Sequence, residues 1–376
     1  MLTTNKTQGK QLSWVNISFL MLTPIIALLG TGLYIHQNGI QIFDFLNFLL
    51  FFILTGVAIT GGYHRYFAHR AYGCKPILEL FYLVFGAGAF QNSALRWASD
   101  HRDHHRYVDT EQDPYSIMMG AFYAHMGWIF YKEPSNRNFD NVPDLLKDRL
   151  VLWQDRHYLL LSMLIGFVLP LAVGFAVGRP WGGLLWGGFL RIVITHHMTF
   201  SINSLAHMVG SQSYSLEDSS RDSWWLAFLS NGEGYHNFHH RFQGDYRNGV
   251  RWYHWDPTKW FVKILSWMRI TSHLNRTPDD TIFRARLDTD MSRVQKKLDG
   301  ASEGMRRHVL AQLQSGREAL ERARRRWAEV RAGYLQVRAN AIAHSSQVLQ
   351  DWKENIRNCE KELRQASHRW RNLCRV

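Results

Sequence analysis

His64-Arg-Tyr-Phe-Ala-His69, His101-Arg-Asp-His104-His105 and His236-Asn-Phe-His239-His240 decide how this chain reads. A lone histidine on an apolar face is usually a satisfied core residue. These histidines are clustered. Spacings of three and four put His101, His104 and His105 on one side of a helix, and His236, His239 and His240 repeat the pattern. A further histidine, His207, closes Asn203-Ser-Leu-Ala-His207. Imidazole is a common ligand for Fe, Zn, Cu and Ni, so two triples and a pair imply more than one transition-metal ion.

Around these clusters the 376 residues are unevenly apolar. Runs long enough to cross a bilayer lie before residue 210. The three cysteines, Cys74, Cys359 and Cys374, have no metal spacing and no paired framework, which predicts free thiols. The formal charge is +13, and residues 284–376 hold 21 Lys/Arg against 11 Asp/Glu. Basic charge beside membrane spans points to anionic membrane lipids. No zinc finger or aromatic-plus-glycine RNA motif supports a nucleic-acid partner.

Topology follows from charge. Lys6 and Lys10 precede a first span from Trp14 to about His36, while the loop His36–Gly39 carries no Lys or Arg. The positive-inside rule then puts the N-terminus in the cytoplasm. A second span, about Gln41 to Gly62, delivers His64 and His69 to that face. Residues 76–92 are apolar but short and contain Glu79. As a span they would carry the next cluster to the opposite face, so a re-entrant or surface-packed segment is expected. Lys132, Arg137, Lys147, Arg149 and Arg156 mark a cytoplasmic stretch. Spans from about Tyr158 to Val177 and from about Gly182 to Ala206 return the chain inside, where His207 emerges. His196 and His197 lie within the last span and are open to either a ligand role or helix packing. The segments Ser223–Ser230 and Trp255–Met268 read as interfacial, from their tryptophans and lysines.

Beyond about residue 284 the composition shifts to Arg, Gln, Glu and Ala. Leu313, Leu320, Trp327, Tyr334, Ala341 and Val348 fall seven apart. This heptad stripe predicts a long helix or helical hairpin, weakened by Gly316 and Gly333. The stripe suits either docking on the same chain or a homodimer through the C-terminal helix.

The motifs Gly61-Gly-Tyr-His-Arg-Tyr-Phe-Ala-His-Arg-Ala-Tyr72, Trp97-Ala-Ser-Asp-His-Arg-Asp-His-His-Arg106, Asn203-Ser-Leu-Ala-His207 and Asn231-Gly-Glu-Gly-Tyr-His-Asn-Phe-His-His240 resemble those of the membrane fatty acid desaturases, nearest the Δ9 acyl-CoA (stearoyl-CoA) type. Their order and spacing cover roughly residues 40–275. The resemblance implies an all-α membrane protein with four transmembrane helices and a cytoplasmic histidine-rich diiron domain over residues 1–283. The tail is not part of the match, and its basic helical extension, in a coiled-coil or hairpin form, over 284–376 is read from composition and the heptad stripe alone. It implies a multi-pass protein whose termini and active site are cytoplasmic.

The resemblance also implies that His64, His69, His101, His104, His105, His207, His236, His239 and His240 hold two irons, with Asn203 meeting one of them through water. O2 is the co-substrate, and a cis double bond is introduced into a saturated acyl chain bent in a kinked tunnel. Gln91, Asn92 and Trp97 match the family's tunnel and headgroup positions, and Phe48 and Phe52 fall near the tunnel's closed end, where they would limit chain length. Asp100, Asp103 and Glu233 sit beside ligands and are expected to orient imidazole N–H groups. Ser99 replaces a headgroup arginine, and a basic pair reads Lys132-Glu133. The acyl carrier therefore stays open between acyl-CoA and acyl-lipid. No flavin, haem or Cys-rich cluster motif is present, so electrons are expected from an external ferredoxin or cytochrome b5 with its reductase, steered by basic charge.

Three rivals make different predictions. A histidine-rich membrane hydroxylase would yield an alcohol. A metal transporter or sensor would place ligands at mid-membrane depth. A zinc hydrolase lacks support, since no His-Glu-x-x-His occurs.

Overall fold

A computed structural model describes residues 11–132, 137–339 and 346–375. Lys6, Lys10, Glu133 and Ala341 lie outside the described residues. The chain forms two compact units, Met1–Pro278 and Asp279–Val376.

In the first unit three helices are long and apolar enough to cross a membrane: α1 (Trp14–Asn38), α2 (Ile42–Ala68) and α6 (Tyr158–Ala176). A fourth long helix, α7 (residues 180–204), runs beside α2 and α6. It falls short of the same apolarity because Arg191, His196 and His197 lie inside it. Arg191 is fully buried and spends its guanidinium on the carbonyls of Gly88 (2.6 Å), Gly187 (3.1 Å) and Gly166 (3.3 Å). Small residues let these helices touch backbone to backbone. A Cβ on Gly183 of α7 would stand 2.3 Å from the carbonyl oxygen of Pro170 in α6.

Between the long helices lie α3 (Pro76–Ala87), α4 (Ala94–Tyr107) and α5 (Arg149–Arg156). At 12 residues α3 is too short to span. It packs on the end of α2, where a Cβ on Gly62 would meet the Tyr82 ring at 2.5 Å. Its Glu79 is buried and accepts from Tyr66. Burial, and then Asp148, push that carboxyl up to about 7.

The strands β1 (Gly73–Cys74) and β2 (Thr271–Ser272) pair antiparallel and fix the chain after α2. Later in this unit come α8 (Trp224–Leu229), α9 (His236–Arg241) and α10 (Pro257–Trp267). Trp224, Phe228, Ile264 and Trp267 of α8 and α10 stay exposed, as interfacial segments require.

The second unit contains α11 (Asp279–Lys297), α12 (Glu303–Ala339) and α13 (Ser346–Leu373). Its own core joins Leu287, Val294, Leu313, Leu320 and Trp370. The heptad stripe of α12 thus packs within the unit. Gly316 and Gly333 are contact points rather than weaknesses: a Cβ at either would meet Leu373 at 2.7 Å or Trp352 at 2.5 Å.

Candidate metal centre

His64 and His69 are five residues apart, which on an α-helix sets them about 140° from each other. The last part of α2, Ala58–Ala68, is instead wound in wider π turns, with the His69 N–H donating to the His64 carbonyl at 3.1 Å. The wider turn brings the two rings together, and their centroids are 4.8 Å apart. On α4 the ordinary period sets His101, His104 and His105 toward the same space. The short α9 does the same for His236, His239 and His240, and His207 caps the end of α7.

These nine histidines form two sets. His64, His69, His101, His105 and His239 converge in one, and His104, His207, His236 and His240 in the other, with nitrogens in each set within 4.8 Å of one another. In the first set Nε2 of His69 lies 2.8 Å from that of His101, His64 from His239 at 2.9 Å, and His105 from His239 at 3.0 Å. In the second, Nε2 of His236 is 3.0 Å from His240 and 3.1 Å from His207.

The far nitrogens explain this. Nδ1 of His64 donates to Glu233 at 2.8 Å and Nδ1 of His104 to Asp113 at 3.0 Å, since a carboxylate only accepts. With the proton on Nδ1, the Nε2 lone pair faces inward. Lone pairs facing each other at such distances repel unless a cation sits among them. Burial, and then neighbouring imidazoles, hold His101, His105, His236, His239 and His240 well below the usual histidine range. These five rings are therefore neutral at pH 7, the form that ligates. The donor set fits two transition-metal ions of imidazole preference.

The second layer differs from expectation in part. Glu233 accepts from His64 Nδ1 at 2.8 Å. Burial pushes its carboxyl up, but His64 and the Arg65 guanidinium 2.9 Å away outweigh this and hold it below the usual carboxylate range. Arg65 also pairs with Asp256 at 3.0 Å, tying α2 to the start of α10. Asp103 instead accepts from Asn141 at 2.8 Å, and Asp100 from Arg137 at 2.7 Å. Residues next to a ligand in a helix stand about 100° round from it, which turns both carboxylates off the ligand face. The groups that sequence reading missed are Asp113, Tyr115 and Ser219, with Tyr115 Oη 3.2 Å from His101 Nδ1 and Ser219 Oγ 2.8 Å from His207 Nδ1. They lie in irregular loops, where no periodicity could mark them. Arg102 clamps Asp144 with two bonds (2.7 and 2.8 Å) and donates to the Phe67 and Ala68 carbonyls, fixing the segment that carries His69.

A mostly apolar cavity of about 530 Å³ runs alongside His64, His101 and His236. Gln91, Asn92, Trp97, Asn203 and Phe52 line it. Phe48 does not. It stacks behind Phe52 at 5.6 Å, one helical turn farther out. Gln91 joins Thr199 (3.0 Å) to Trp97 (3.3 Å) across the cavity wall. His196 and His197 join neither imidazole set: His196 donates to the Ala89 carbonyl at 2.8 Å, and His197 faces His125 at 3.1 Å.

Comparison with known proteins agrees with this arrangement. Residues 44–265 match the family model described as fatty acid desaturase. The chain is 40% identical over 275 residues to a protein of Schizosaccharomyces pombe named probable acyl-CoA desaturase, covering 73% of this chain and 57% of the relative. It is 37% identical over 293 residues to acyl-CoA desaturase 1 of Saccharomyces cerevisiae, covering 77% and 56%. An sn-1 stearoyl-lipid 9-desaturase of Synechocystis is 33% identical over 233 residues, covering 62% and 71%. The matched region spans little more than half of the two yeast relatives. The chain belongs to the fatty acid desaturase family.

Proposed function

We propose that this protein is an oxygen-dependent fatty acyl desaturase that introduces a cis double bond, at Δ9, into a saturated chain carried as acyl-CoA or acyl-lipid. The observation that carries this reading is the pairing of two inward-facing imidazole sets with an apolar cavity that passes His64, His101 and His236. In the overall reaction the acyl chain loses two hydrogens. One O2 takes these with two external electrons and two protons and leaves as two waters. Two irons, bound one to each imidazole set, would supply oxygen activation and hydrogen abstraction.

The chain's own residues do the rest. The nine imidazoles would hold the metals without adding negative charge, unlike carboxylate-rich sites in soluble bundles. Glu233 and Asp113 fix the tautomers of His64 and His104. Asn203, which lines the same cavity, would meet one of the two irons through a water. The Gln91–Thr199–Trp97 contacts hold the cavity wall, and Phe52, backed by Phe48, limits the length of chain that enters.

The proposed topology has four spans, α7 being the fourth, with both termini and the imidazole sets in the cytoplasm. Electrons arrive from an acidic ferredoxin or cytochrome b5, attracted by basic charge. A homodimer through the C-terminal helix would have to use its outer faces, because Leu313 and Leu320 are already buried.

Metal analysis joined to lipid profiling, in cells expressing wild type and His104→Ala, tests the function. Two irons per chain and a new double bond, both lost in the variant, are expected. An alcohol in place of the alkene would favour a hydroxylase, and bound metal with an unchanged lipid profile would favour a transporter or sensor.

A further inference from the structure

The cavity beside the imidazole sets reaches the outer surface between two apolar helices. Val15 on α1 and Leu159 and Met163 on α6 line it, yet they are 80%, 70% and 44% exposed. Residues can do both only where a cavity meets the outside. Val15 and Leu159 stand in the first turns of helices long and apolar enough to span a membrane, so this rim belongs to the lipid-facing surface. Lys132 and Arg137 line the same cavity, and Arg137 is paired with Asp100.

The wall inside this rim is rigidly built. Phe19 of α1 stacks on Phe90 with centroids 5.0 Å apart, and Phe90 packs on Phe167 of α6 at 5.2 Å. Phe90 and Asn92 hold left-handed backbone, at φ 56° and 72°. Such strain persists only where the surroundings over-determine it. Here Arg191 holds the Gly88 carbonyl, His196 holds the Ala89 carbonyl, and Tyr158 Oη accepts from the Asn92 N–H at 3.1 Å. Side chains of both α6 and α7 thus fix the segment that separates the cavity from the bilayer.

We propose that the mouth is a lateral portal at the lipid–water boundary, through which an acyl chain of a membrane glycerolipid enters sideways between Val15 and Leu159 while its headgroup stays by Lys132 and Arg137. This rests on the acyl desaturase reading and narrows its substrate to a lipid-borne chain. A chain sliding from the bilayer across Val15, Leu159 and Met163 never meets water. Its phosphate meets the Lys132 ammonium, beside an Arg137 already held by Asp100.

Photolabelling tests the portal without requiring turnover. The full chain is reconstituted in phosphatidylcholine vesicles that carry a diazirine on one acyl chain, and labelled peptides are mapped. Peptides bearing Phe52 and Phe90 are expected to label, along with outward-facing Leu29 and Leu160. Joint Val15→Trp and Leu159→Trp substitution should lower cavity labelling about tenfold, the effect of roughly 1.4 kcal/mol, and leave Leu29 and Leu160 unchanged. Val15→Ala with Leu159→Ala should keep it. Unlabelled cavity peptides, or equal labelling in the tryptophan variant, would overturn the portal. So would a double bond formed in added acyl-CoA and never in vesicle phospholipid, an outcome that leaves the desaturase reading standing. Cavity labelling with no double bond in either donor would do the reverse.

Discussion

His64, His101, His104 and His207 are each aimed by the group that meets the far nitrogen: Glu233, Tyr115, Asp113 and Ser219. Asp113 is almost fully buried and touches His104, whereas Asp103, the immediate sequence neighbour of His104, turns to Asn141. Asp113→Ala is therefore expected to weaken metal binding about 10–100-fold, while Asp103→Ala leaves it near wild type; chelator competition measures both. Equal losses would show that Asp113 has no special role. Acidity gives a second check. The buried histidines have folded-state values below the ordinary 6.5, so they are neutral in both states above it. As pH falls below about 6.5 the unfolded chain takes up protons that the folded one cannot, and stability is lost. The melting temperature of the metal-free protein in detergent should fall from about pH 6.5 to about pH 5. A flat profile would contradict the burial of neutral rings. The nine histidines could be picked out from sequence because clustering is visible there. Their loop-borne partners Tyr115 and Ser219 could not, because the contacts join residues with no periodic relation.

At the level of elements, apolar length foretold α1, α2 and α6, and brevity foretold that α3 would not span. What pattern missed was the winding of Ala58–Ala68, since π turns have no signature in composition, and this winding is what unites His64 with His69. Glycines were misjudged for a related reason. Propensity treats Gly333 as a weak point in a helix, but the large Trp352 ring needs that bare surface to let α13 approach α12. Gly333→Leu should destabilise the second unit by roughly 1–3 kcal/mol through overpacking. Loss of helical signal at lower temperature, with iron content unchanged, would be the expected result. An unaltered melting curve would mean that α12 and α13 separate at no cost there.

For the whole molecule, the proposed four-span topology depends on α7, the helix whose hydropathy is weakest. Arg191 explains the weakness without removing the span, because its charge is met by three backbone carbonyls rather than by lipid. The turns between α1 and α2 and between α6 and α7 should then share one face. Arg179 of the second turn pairs with Asp44 at the start of α2 at 3.0 Å, which already draws these two ends together. On that topology the loops carrying Glu111 and Glu217 should lie on the opposite face with the imidazole sets. In a background with Cys74, Cys359 and Cys374 replaced by serine, single cysteines at Gln37, Val177, Glu111 and Glu217 sample both sides, all four positions being exposed. A membrane-impermeant maleimide added to intact cells should react with Gln37→Cys and Val177→Cys, and with Glu111→Cys and Glu217→Cys only after permeabilisation. If Val177→Cys behaved like Glu217→Cys, α6 and α7 would form a re-entrant pair, and the imidazole sets would have to be reached through a two-span scaffold.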